Sequence, residues 1–392
     1  MPLNGILPLL WADGVMILLK GFMDHWVPSR DFISKFWKQD YDAAIRILDE
    51  LREGIPFNHF TFYTKWYTNG IKSRLPYLYN HPEASNVKTD NEWGRRMIDH
   101  LQSKGISVGA MIQFLTYDKA GWEQELATGE FEIGHVAEAD DPVRIADISN
   151  SLYQVRLGET IKEQLAEFPR LDFLFLEFEG LDWGDVQIVY RNWTRRRGMP
   201  KSKTFHYRAE TEALCKRMGI PLSFLWSEEA REMLNYYYKL NLQAAKAAID
   251  EMAFEGTVGI VLHAYGYEAL IYPDILPDPD WWLLPWNYWV CERDSPEKEQ
   301  RKAISKEYMI KWKLAGHKVC HIGDATIGRE GLELDRKLAE IEEFHEFSLK
   351  IGLDGYIGMG NPVPDIGLKW IGVTDSHVLE TGKLYRKLYG ID

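Results

Sequence analysis

Residues 171–180 read Leu171-Asp172-Phe173-Leu174-Phe175-Leu176-Glu177-Phe178-Glu179-Gly180. The run is apolar, rich in aromatic residues and closed by a glycine, which predicts a short buried strand over Leu171–Glu179. Alternate residues of a strand share a face. Phe173, Phe175, Glu177 and Glu179 therefore lie on one side, and Leu174, Leu176 and Phe178 on the other. The second set suits packing beneath helices. The first turns from aromatic to acidic at the strand's C-terminal end. Two carboxylates there would stand about 7 Å apart at Cβ, close enough to couple.

Similar apolar runs recur on both sides of this one. Candidate strands are Val15–Phe22, Phe57–Tyr67, Ile106–Leu115, Ile220–Trp226, Thr257–Ala264, Trp282–Val290, Lys318–Ile322 and Gly355–Met359. With Leu171–Glu179 they make nine candidates for a ring of eight, and Ile220–Trp226 and Trp282–Val290 are the two that could lie in a loop. Between them run segments of helical period: Tyr41, Ala44, Ile45, Leu48 and Leu51; Ile161, Leu165 and Phe168; Leu338, Ile341 and Phe344. Ser227 and Ser295-Pro296 read as helix starts. Gly54, Gly105, Gly219, Gly256, Gly316 and Gly352 read as helix stops just ahead of strands.

Helix-to-strand links are therefore short, whereas strand-to-helix links are long. The expectation is an α/β fold, a (β/α)8 TIM barrel forming one domain over residues 1–392. Loop insertions fall near 116–141, 180–207 and 265–281. In such a barrel the elaborated C-terminal end of the sheet carries the active site.

The 392 residues carry a formal net charge of −13. So acidic a chain lacks the basic face that nucleic acid requires, and the Arg195-Arg196-Arg197 run reads as a solvated loop. No apolar stretch approaches the ~20 residues of a membrane span. Ile6–Leu19 is apolar, but Asp13 and Gly14 break it and no basic segment precedes it, so it reads as the approach to the first strand. Three cysteines form no metal or disulfide pattern, which favours a reducing, cytoplasmic setting. There is no GxGxxG, Walker, GxSxG or HExxH run, so no cofactor is expected. A homo-oligomer stays open.

The chain has 15 Trp, 20 Tyr and 17 Phe. Several Trp stand beside polar residues, as in Asp182-Trp183 and Trp286-Asn287-Tyr288-Trp289. Aromatic faces next to hydrogen-bonding groups suit a carbohydrate ligand. Most candidate strands also end in polar groups: Asp24 and His25, Lys65, Gln113, His263 and Tyr265, Asn287, His321 and Asp324. Taken singly, each is a common satisfied core group. Together they suggest convergence on one pocket. His25, His263, His321 and Asp324 with a Glu would also make a divalent-metal set, although no His-x-His accompanies them.

The layout resembles the (β/α)8 glycoside hydrolases, and distantly the family-20 hexosaminidases, in placing an acidic end on the fourth strand and aromatic-rich strands after it. That resemblance implies a glycosidase with a catalytic carboxylate at Glu177 or Glu179. The motif here is Glu-x-Glu, with no His-x-Gly-Gly run before it and no Asn ahead of either glutamate, so no subfamily is assigned.

The reading is thus a glycosidase acting on a small or terminal sugar unit, with Glu179 as general acid and Glu177 as second carboxylate. Asp24, His25, Lys65, Gln113, Asp182, His263, Asn287, His321 and Asp324 are expected to bind hydroxyls. Trp183, Tyr265, Trp286 and Tyr288 are expected to wall the site. Two rivals share the fold: a metal-dependent sugar isomerase or epimerase, and a carbohydrate-binding barrel without catalysis. The second would have the glutamates held by a fixed cation such as Lys65.

Overall fold

The computed structural model describes residues 11–12, 15–16, 19–24, 42, 45, 49, 57–66, 69–70, 74–75, 91–113, 116–117, 133–135, 144–146, 151–177, 228–263, 273–287, 296–323, 334–360 and 375–389. Eight strands form a closed parallel ring: β1 Leu19–Asp24, β2 His59–Trp66, β3 Ser107–Gln113, β4 Phe173–Glu177, β5 Thr257–His263, β6 Trp282–Asn287, β7 Cys320–Gly323 and β8 Gly355–Gly360. They pair in chain order, and β8 returns to β1. The ring closes with Trp282–Asn287 as a member. The candidate strand at 220–226 lies outside the described residues.

The pairing registers establish the geometry of closure. From Glu177 they lead to Val261, Leu284, Cys320, Gly355 and Leu19. Carried on through β2 and β3, they return to the line of β4 at Pro169, eight residues below Glu177. A shear of eight over eight strands is the geometry of a (β/α)8 barrel. Each strand is offset by one residue from the next, so side chains at one height come from alternate strands.

Helices α1 Glu92–Ser103, α2 Ser151–Glu167, α3 Glu228–Glu251, α4 Pro296–Leu314, α5 Leu334–Ile351 and α6 Asp375–Tyr389 accompany the strands. Their apolar stripes and the outward residues of the strands make one continuous core. It includes Leu174 and Leu176 of β4, Val258 and Ile260 of β5, and Met97, Leu157 and Leu165 of the helices. A second, smaller core fills the lumen with Met111, Phe173, Phe175, Val261, Trp282, Leu284, Cys320, Ile322 and Ile357. The alternation expected along residues 173–177 holds: Phe173 and Phe175 belong to the lumen, Leu174 and Leu176 to the outer core.

The lumen is stacked in layers. The lowest large layer holds His59, Phe173 and Trp282. Phe173 stands 4.8 Å from His59 and 5.8 Å from Trp282 between ring centroids. The next large layer holds Thr61, Phe175, Leu284 and Ile357. Between them the odd-numbered strands supply Gly21, Gly109, Gly259 and Cys320, a layer of small residues. The reason is steric. A Cβ at Gly259 would come within 2.3 Å of Leu284 and 3.0 Å of Phe175, and one at Gly109 within 3.0 Å of His59 and Thr61. Large and small layers interdigitate to fill the tapered space.

Helix ends match the expectation in part. Gly105, Gly316 and Gly352 take φ of +72°, +88° and +65° just past α1, α4 and α5, the left-handed closure that glycine permits. After α3, however, Ala253 takes that conformation, with φ +49°. Gly256 serves instead to let the chain pass the Asp172 carbonyl, which a Cβ would approach to 2.7 Å. The insertion after β3 carries its own antiparallel sheet, with Arg144–Ala146 between Thr116–Tyr117 and Ile133–His135. No described helix is long and apolar enough to cross a membrane.

Candidate active site

Glu177 is the last residue of β4 and is fully buried. It continues the inward row of Phe173 and Phe175. The layer directly below it contains Met111, Val261 and Ile322, all buried. The carboxylate thus stands on an apolar floor at the C-terminal mouth of the barrel. Removing a carboxylate from water is costly unless polar neighbours replace the lost hydration. On the strands either side, Glu177 is in register with Gln113 of β3 and Val261 of β5. Gln113 is therefore the polar residue whose backbone position adjoins it on the same row.

One-residue offsets place Glu177 at the height of Tyr63, Trp286 and Met359, the matching positions of β2, β6 and β8. His263 is in register with Trp286. Glu177, Gln113, His263 and Trp286, four residues expected at the site, thus have their backbone positions at the upper ends of the adjacent strands β3 to β6.

One expectation, His321, is corrected by the structure. His321 lies between the lumen residues Cys320 and Ile322 and so points outward. Its ring packs against Phe344 of α5 at 4.0 Å between centroids. It is a buried contact between strand and helix, with its pKa lowered to about 3 by burial, and not a lumen ligand. In the backbone register Tyr63 pairs with Met111 and Lys65 with Ile112, with a shift between them. Asp24 is in register with Phe62, and Asn287 with Gly323. His25, Glu179, Asp182, Trp183, Tyr265, Tyr288 and Asp324 lie outside the described residues. Among the described residues no cluster of His, Cys, Asp and Glu could hold a metal ion.

The lower lumen holds a polar chain that sequence reasoning missed. Ser107 Oγ donates to the Asn58 carbonyl at 3.1 Å, which uses its only hydrogen. It must therefore accept from His59 Nδ1, 2.9 Å away. His59 Nε2 then accepts from the Thr61 hydroxyl at 2.5 Å. Every member is satisfied with the imidazole neutral, and burial lowers its pKa to about 3. The apolar layer of Met111, Val261 and Ile322 separates this chain from Glu177. The signal in the sequence was His59-x-Thr61, two polar residues at strand spacing at the start of an apolar run.

No family model matches the chain, and no curated protein matches it. Solved structures do. The catalytic domain of a β-amylase from Paenibacillus polymyxa superposes with a TM-score of 0.57 at 11% identity, over 95% of this chain and 97% of that one. A broad-specificity endoglucanase from an uncultured bacterium gives 0.54 at 8% identity, over 95% and 94%. The cellotriose complex of ZgEngAGH5_4 gives 0.51 at 10% identity, over 93% and 95%. These neighbours are glycoside hydrolases built on (β/α)8 barrels. At such identities the likeness shows the fold. The expected (β/α)8 barrel is therefore borne out, and the likeness to family-20 hexosaminidases is not shown.

Proposed function

We propose that the protein is a glycoside hydrolase whose catalytic centre is built on the end of β4, with Glu177 as one of its carboxylates. The observation that carries this reading is a fully buried glutamate on the inward row, above an apolar floor, at the end of the sheet where barrel enzymes do their chemistry. A carboxylate so placed suits stabilisation of an oxocarbenium-like transition state or attack on the anomeric carbon. Glu179, two residues on, is the proposed general acid that protonates the leaving oxygen. Gln113, His263 and Trp286 would contact the sugar or orient the carboxylate. His25, Asp182, Trp183, Tyr265, Tyr288 and Asp324 are proposed for the rim. The proposed substrate is a small or terminal sugar unit. That one structural neighbour was solved with cellotriose is in keeping with a carbohydrate.

The metal-dependent isomerase reading loses a named residue, His321, which packs against Phe344 in the outer core.

The test is Glu177→Gln and Glu179→Gln, assayed on a panel of aryl glycosides and oligosaccharides. The expected result is a loss of at least about 100-fold in kcat/KM for each. Wild-type turnover with both variants unimpaired would end the assignment.

A further inference from the structure

Val258 and Val261 are buried valines of the same strand, β5, with different neighbours. Val258 is in register with Leu174 of β4 and belongs with it to the outer core. Val261 is in register with Glu177 and belongs to the lumen. Register partners on adjacent strands stand about 4.8 Å apart. Val261 therefore sets hydrocarbon against the β5 side of Glu177. Below Glu177 the lumen is hydrocarbon as well. Phe175 lies two residues down β4, with Met111 of β3 and Ile322 of β7, all fully buried. The side chains of this flank and floor offer no hydrogen bond. A buried carboxylate needs polar contacts in place of its hydration. Those contacts are left to the β3 side, where Gln113 is the register partner of Glu177, and to the mouth.

We infer that Val261 is a positioning residue of the site, whose apolar flank turns the Glu177 carboxylate towards β3 and the mouth, where a sugar would be met. This rests on the glycosidase reading above. A threonine at this position would exchange one methyl for a hydroxyl at nearly the same volume. It would give the carboxylate a donor on the wrong side, draw it away from the substrate and favour its charged form. By position in the chain, the ionisable residues at the upper ends of the strands are Asp24, Tyr63, Lys65, Glu179, His263 and Asp324. Lower in the lumen, His59 and Cys320 are kept uncharged chiefly by burial. All of these stay the same in the variants that follow.

The test compares Val261→Thr with Val258→Thr, the same exchange on the opposite face of the same strand, in the full chain. Rates are followed across pH with the aryl glycoside that the wild type cleaves fastest. Val261→Thr is expected to lower kcat at least about fivefold with KM within about twofold, and to move the acid limb of kcat/KM down by about half a pH unit or more. Val258→Thr should lower the thermal midpoint by a similar amount and leave kcat and the limb in place. Val261→Ile keeps the flank apolar and should leave the limb in place, whatever it does to stability. The carboxyl infrared band that Glu177→Gln removes gives a second reading without any sugar. Its midpoint should fall in Val261→Thr alone. A limb and a band unmoved in Val261→Thr, or moved equally in Val258→Thr or Val261→Ile, would overturn the inference and leave Glu177 as the site residue. Unimpaired turnover by Glu177→Gln would instead end the glycosidase reading.

Discussion

Strands β4 and β8 stand opposite each other in the ring, start in the same way and end differently. Each is entered through Leu-Asp: Leu171-Asp172 and Leu353-Asp354, with both leucines in the outer core. In each case the Asp carboxylate accepts the backbone N–H of the preceding strand at 2.8 Å, from Val108 in one and Val319 in the other. In each case its own N–H returns to the carbonyl of that same residue at 2.9 Å. The upper ends then part. β4 finishes in buried Glu177, and β8 in Gly358-Met359-Gly360. The lower end of the barrel repeats a device that aligns strands, while the upper end is individual. With the proposed site, fold and chemistry are written at opposite ends of the same strands.

If that division is right, the two ends should fail in different ways. The largest effect is expected from Glu177→Gln, at least about 100-fold in kcat/KM, equivalent to roughly 2.7 kcal/mol of barrier. Its thermal midpoint should be unchanged or higher, because a buried charge is removed. A variant that lost activity only by unfolding would break the contrast.

Asp354→Ala and Asp172→Ala should do the reverse, lowering stability while the remaining folded protein keeps its turnover. Asp354 also binds Lys313 at 2.5 Å and Lys318 at 3.3 Å, whereas Asp172 has the neutral amide of Gln102 at 3.0 Å. Leaving donors unmet should cost about 2–4 kcal/mol at Asp354 and about 1–3 kcal/mol at Asp172, read from urea unfolding. Equal losses would show that the lysines add nothing.

A third test uses pH. His59 and His321 are both held neutral with pKa values of about 3, below the ~6.5 of a free histidine. Unfolding lets them take up protons once the pH drops below ~6.5. Their contribution is therefore complete above that pH and is lost progressively as the pH falls towards 3, at up to about 1.4 kcal/mol per unit each. Urea midpoints should decline from pH 7 to pH 5, and His321→Phe should flatten the decline. A pH dependence that ignores both histidines would refute this account of the lower lumen and the outer core.

The smallest effect is expected at Ala253→Gly, in the turn into β5. Relieving its left-handed φ should stabilise the protein by about 0.5–1 kcal/mol, net of the greater freedom of the unfolded chain. Calorimetric melting checks the sign, and turnover should not move.

Much of this was readable before any coordinates. The period of two in residues 173–177 separates lumen from outer core because Phe and Leu occupy distinct faces there. Gly105, Gly316 and Gly352 mark real helix ends because only glycine enters the left-handed region without strain. The short β7 was not readable in this way. Cys320, His321 and Ile322 are all buried, so nothing in their polarity says which one faces inward, and His321 was given to the wrong side. The register shift between Tyr63 and Lys65 was equally silent, since one added residue moves every later pairing without altering composition. Gly256 passed for a helix stop because a glycine needed for close approach looks the same in sequence as one needed for its φ. The strand-aligning role of Asp172 was overlooked beside the more conspicuous glutamates. The repeat of Leu-Asp ahead of two strands was the available signal.

Closure of the ring also has a consequence in time. β1 leaves the ribosome before the other strands of the ring, yet one of its two partners is β8, the last of them, with Leu19 paired to Gly355. At about 5–20 residues per second, β1 must wait on the order of tens of seconds for that partner to be made. Until then the growing sheet has two unpaired edges, the kind of surface on which chains associate wrongly. The β1–β8 seam is therefore the last strand pairing of the ring available during synthesis, and the place where a chaperone would find the sheet still open.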